Sequence, residues 1–117
     1  MNRLLSVLAA RRLLTRNAQA GATYNAVASD VGTVIDGTHA SGIVVTIRAY
    51  ATAPIAVGST LYAMASGGPN VQAAFAAGAG VSFEYNATLL SRDRYSVIRA
   101  WHRSTDVWVI GGDVQPL

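Results

Sequence analysis

Ser96, His102 and Asp106 are the residue types of a nucleophile, a general base and an orienting acid, and they lie close together in the chain. On an extended strand, however, Ser96 and His102 share a face about 20 Å apart. No Gly-x-Ser-x-Gly elbow accompanies them. Asp30 and Asp36 flank a short apolar run, as two carboxylates for acid–base hydrolysis could. Both sit in turn-forming sequence, where Asp accepts backbone N–H groups, and structure accounts for them. His39 and His102 are the only histidines and no cysteine joins them, whereas a metal site needs several convergent ligands. His39 therefore reads as a solvated loop residue, and His102 as an exposed or hairpin-capping residue at a strand end. Gly78-Ala-Gly80 lacks the following helix and Lys of a phosphate loop. The sequence predicts no enzyme, no metal and no cofactor.

One further group has the chemistry of nucleic-acid binding. Arg92, Arg94, Arg99 and Arg103 are interleaved with Tyr95 and Trp101, and an aromatic and basic sheet face can stack bases and hold phosphates. The charge balance argues against it. The net +3 divides into +4 over residues 1–20 and −1 over residues 21–117, which removes the electrostatic footprint from the domain that carries the arginines. Arg99 shares the strand parity of Trp101 and can shield it with its stem. No nucleic-acid partner is predicted.

The elements that must position these residues read as short β segments separated by turns. Ala22–Val27, Thr33–Ile35, Ile43–Ala49 and Ser59–Ala65 are apolar, β-favouring runs. The third is the clearest, with Ile43, Val45, Ile47 and Ala49 facing one way. Ser66-Gly-Gly-Pro-Asn70 is a strong turn signal. Val71–Phe75 and Val81–Tyr85 flank a small-residue run, and Ala87–Leu90 offers one more strand. The last quarter reads as a hairpin, Tyr95–Trp101 and Asp106–Ile110 about the polar turn Arg103–Asp106. Tyr95, Val97, Trp101, Trp108 and Ile110 are its predicted core residues. Turn signals at this density predict an all-β fold, a single antiparallel β-sandwich or barrel-like domain preceded by a short N-terminal helical or extended arm.

Hydrophobic residues make up 51% of the 117 residues and charged residues 13%. That charged share is roughly half the ordinary one, so burial of surface against other chains is expected. The first 21 residues form the basic arm and residues 22–117 the β domain. Leu4–Leu14 is rich in helix formers, without Pro or Gly. It falls short of the ~20 apolar residues of a membrane span, and it lacks the clean apolar face of a surface-seeking helix. Arg11, Arg12 and Arg16 interrupt the apolar stretch that a secretory signal would need before Ala18-Gln19-Ala20. A docking arm that orders against a partner or a symmetry mate is the favoured reading, with a plain disordered tail as the other.

From Tyr24 to Val114 the chain resembles a small β module of tailed-bacteriophage virion proteins, of the head-decoration, head-fibre and tail-fibre type. The matching steps are Asp30-Val-Gly32, Ile43–Ile47, Pro54-Ile-Ala-Val-Gly58-Ser-Thr60, Gly78-Ala-Gly-Val81, Tyr95-Ser96 and Asp106-Val-Trp108-Val109 with Gly112-Asp113. The chain departs from the pattern at Ser66–Asn70, where a plainer turn is usual. The resemblance implies a homotrimeric virion structural protein without enzymatic activity. The module's size here then favours a capsid decoration protein or short head fibre, on the capsid surface in preference to the tail. Arg3, Leu4, Leu5, Leu8, Arg11, Arg12, Leu13, Leu14 and Arg16 would dock on the major capsid protein or other virion subunits. The alternative is a receptor- or carbohydrate-binding tail-fibre tip, with Tyr50, Tyr62 or Tyr85 meeting a host surface glycan.

Overall fold

A computed structural model describes residues 14–116. They form nine strands: β1 (Thr15–Gln19), β2 (Thr23–Asn25), β3 (Thr33–Gly37), β4 (Ile43–Ile47), β5 (Thr60–Ala65), β6 (Ala73–Ala77), β7 (Ser82–Glu84), β8 (Ile98–Ser104) and β9 (Val107–Gly112). A single 3-10 turn at Ala28–Asp30 is the only helical piece among the described residues. The fold is mostly β, as expected.

The pairing differs from the expected antiparallel one. The first six strands alternate between two sheets, and each of the first four pairs with the strand two places on, in the same direction. Thus β1, β3 and β5 lie side by side and parallel in one sheet, and β2, β4 and β6 do so in the other. The chain therefore winds through three coils, each passing from the first sheet to the second. Antiparallel order appears where β8 joins β5 and turns into β9. Strand β7 then pairs with β9 in parallel, which completes a six-stranded mixed sheet in the order β1-β3-β5-β8-β9-β7 beside the three-stranded β2-β4-β6.

One apolar core joins the two sheets. Ile35, Leu61, Ala63, Ile98, Ala100, Trp108 and Ile110 come from the larger sheet; Ile43, Val45, Ile47, Ala73 and Phe75 come from the smaller. The expected parity of β4 holds, with Ile43, Val45 and Ile47 all buried. The segment Ala87–Leu90 forms no strand; Leu90 makes one bridge to Ala74 and the Leu89 carbonyl accepts from Phe75 N–H. Buried Ser91 follows, its Oγ accepting from Ala73 N–H at 2.8 Å. Together these cover the outer edge of β6.

Part of the segment read as an arm is strand in the structure. Residues 15–19 are strand β1, paired in parallel with β3, and not helix. Polar side chains succeed here because β1 is an edge strand with two buried acceptors beside it. On the outer face Arg16 Nε donates to Asp36 Oδ2 at 2.6 Å, and on the inner face Asn17 Nδ2 donates to Asp30 Oδ1 at 2.7 Å.

Candidate interaction surfaces

The hairpin exists where the sequence places it, but one strand shows its other face to the core. On β9 Trp108 and Ile110 are buried, as expected. On β8 the buried residues are Ile98, Ala100 and His102, so Tyr95, Val97 and Trp101 are not core; Trp101 is 42% exposed. The reason is volume. Trp108 and Phe75 already fill the interior, and the small Ala100 opposite Ile110 leaves room for them. Tyr95 is also cut off from the strand, with φ of 68° in the turn that Ser96 N–H closes onto the Asp93 carbonyl.

His102 is the buried polar residue that makes this parity affordable, and it is not exposed. Its ring stacks on Trp108 with centroids 4.2 Å apart and planes 2° from parallel. Nε2 accepts from Asp106 N–H at 3.1 Å, which leaves the proton on Nδ1 to reach the Ile55 carbonyl at 2.8 Å. The hairpin-capping role expected of His102 is thus present in a buried form. Asp106 takes φ of 61° at the turn, a backbone that Asp tolerates better than most residues. Its Oδ1 accepts from Tyr50 N–H at 2.7 Å and its carbonyl accepts from Ser82 N–H at 2.9 Å. With Ser96 outside the strand and both His102 nitrogens committed, these three residues do not assemble as a triad.

The two candidate carboxylates are likewise structural. Asp30 accepts from Asn17 Nδ2, Tyr24 OH and Val27 N–H, at 2.7, 2.9 and 2.8 Å. Burial, then the hydrogen bond and charge of Asp30, raises the Tyr24 phenol above its ordinary range. Asp36 corrects the turn assignment, because it is a buried residue of β3 with Oδ1 on Ser66 Oγ at 2.6 Å and Oδ2 on Arg16. His39 Nδ1 accepts from Ser41 N–H within its own turn. Among the described residues no three His, Asp or Glu side chains converge as metal ligands would.

Two surfaces could engage a partner. A cleft of about 480 Å³ opens at the smaller sheet, lined by Thr23, Val44, Pro69, Asn70, Gln72 and Leu90, with no charged side chain among the described residues. The outer face of β8 is different: Arg99 and Trp101 stand on it, with exposed Arg103 beyond them at an irregularity of the strand. Arg99 lies between Tyr62 and Gly111, and Trp101 between Thr60 and Val109. Alternation in the sequence contained this face, with its two parities exchanged. Of the predicted docking residues, Leu14 is exposed just before β1 and Arg16 is tied to Asp36. Arg3, Leu4, Leu5, Leu8, Arg11, Arg12 and Leu13 lie outside the described residues. The chain matches no family model, no curated protein and no solved structure.

Proposed function

We propose that this protein is a non-enzymatic structural subunit of a bacteriophage virion, a capsid decoration protein or short head fibre. In this reading the two sheets and their shared core act as a sandwich-like body that assembles as a homotrimer. The arm ahead of it docks on the major capsid protein. Arg3, Arg11 and Arg12 meet acidic capsid groups while the leucines fill grooves, and several copies around a trimer raise avidity without new contacts.

The observation that carries the reading is the way β1 is held. The arm runs directly into an edge strand whose Arg16 and Asn17 are fastened to two buried carboxylates from opposite faces. A tether needs such an anchorage, because load on the arm then reaches the core without peeling the strand. Deletion of residues 1–13, which spares β1, is expected to leave the melting temperature unchanged and to abolish binding to capsids lacking the protein. Full decoration by the truncated protein in a particle-binding assay would show that the arm does not dock.

A further inference from the structure

The outer face of β8 has a property that the docking reading does not use. An indole 42% exposed in the middle of a six-stranded sheet is a large apolar group left in water, and its surroundings are charged. Of the six arginines among the described residues, four already have a partner, and Arg48 and Arg99 have none. Arg16 is paired with Asp36, Arg92 with Asp113 and Arg103 with Glu84, the last through two contacts of 2.7 and 3.3 Å. Arg94 donates to the Ser66 carbonyl and lies 4.6 Å from the centre of the Tyr95 ring. Arg99 alone on this strand has neither a carboxylate nor a hydrogen-bond acceptor among the described residues.

Arg99 is nonetheless held in place. Its cross-strand neighbour is Gly111, and a Cβ built there would lie 3.2 Å from Arg99 Nη2 and 3.4 Å from Cζ. The absence of a side chain at position 111 lets the guanidinium lie down against the sheet. Arg99 and Trp101, two residues apart on one face, are separated by about 7 Å along the strand. One unpaired cation and one part-exposed indole therefore share this face two residues apart.

We propose that this face binds an acidic polysaccharide. The indole stacks on the apolar face of a sugar ring, and Arg99 takes the carboxylate of that residue or its neighbour through paired N–H donors. The Arg103–Glu84 pair and the Thr60 hydroxyl sit at the rim, with donors and acceptors for ring hydroxyls. Charge density selects this ligand over a nucleic acid. A phosphate backbone needs a run of free cations, whereas a polymer with widely spaced carboxylates needs only the one that the face leaves open. The site is independent of the arm.

Binding of the full-length protein to alginate, a polyuronate, tests the proposal, with neutral dextran and a single-stranded DNA oligonucleotide as comparators. Trp108 is 1% exposed, so a ligand-induced change in tryptophan fluorescence reports chiefly on Trp101, and calorimetry supplies the affinity. Saturable alginate binding with a fluorescence change is expected, and dextran should bind at least tenfold more weakly. Trp101→Ala and Arg99→Gln should each weaken alginate binding tenfold or more at unchanged melting temperature, while Arg11→Gln with Arg12→Gln should not. No saturable binding, or preference for the oligonucleotide, would overturn the proposal. So would affinity lost only in the arm variant, or an oligomer that Trp101→Ala dissociates, since the face would then belong to a second copy.

Discussion

The first coil and the closing hairpin end the same winding by opposite means. At the β1 end the inward positions are Asn17, Gln19 and Tyr24. Gln19 donates to Asn17, and Asn17 and Tyr24 donate to the buried Asp30. At the other end β8 and β9 reverse direction and lay Trp108, Ile110, Ile98 and Ala100 against the core. A repeating fold must stop exposing its interior at both ends. The polar end does so with a hydrogen-bonded layer centred on Asp30, which adds little apolar burial. The apolar end does so by volume, and burial of its large side chains is expected to give it the larger share of the stability. A carboxylate is therefore the centre of one end and an indole the centre of the other.

Removal of each centre should separate the two. Trp108→Ala is expected to cost about 3–5 kcal/mol, read as a lowered denaturant midpoint, because it empties the core and strips His102 of its stacking partner. Asp30→Asn should cost less, about 1.5–3 kcal/mol, since its amide group would point a donor at one of three existing donors. If Asp30→Asn proves as damaging as Trp108→Ala, the polar end is an equal partner and the contrast fails. The smallest effect concerns Tyr24. Its folded-state ionisation is raised, so the stability it contributes is present below about pH 10 and is lost as pH rises through the higher folded value. Melting temperatures between pH 9 and 12 should fall in the wild type. In Tyr24→Phe that part of the decline should be missing, although the variant starts slightly lower for want of its bond to Asp30. Parallel declines in both proteins would remove Tyr24 from the account.

Local alternation was legible where a strand has one plain apolar face, as in Ile43-Val-Val-Thr-Ile47. It misled at β8, because both parities there hold large or apolar side chains. Only the interior volume left by Trp108 and Phe75 decides between Trp101 and His102, and that volume is set by strands far away in the chain. Parallel winding was illegible for a related reason. Turns that lead from one sheet to the other use the same Gly, Asp and Pro signals as turns within a hairpin, and nothing local says which sheet the next strand joins. Asp36 looked like a turn residue because its partner Arg16, 20 positions earlier, lay in sequence that read as an arm. The outer-face constellation was half visible: Arg99 and Trp101 were paired by parity, but the accommodating Gly111 comes from the facing strand.

The central position of β8 also fixes when the molecule can exist. Strand β5 lies between β3, already available once residue 37 is made, and β8, which is not complete until residue 104. The Asp106 turn then gathers the loop at Tyr50 and the start of β7 through single hydrogen bonds. In a chain emerging from the ribosome amino end first, β5 therefore lacks one of its two sheet neighbours until residues 98–104 have been made. Closure is a late, long-range event, and a nascent chain stalled before Trp108 would present a parallel, apolar sheet edge open to aggregation.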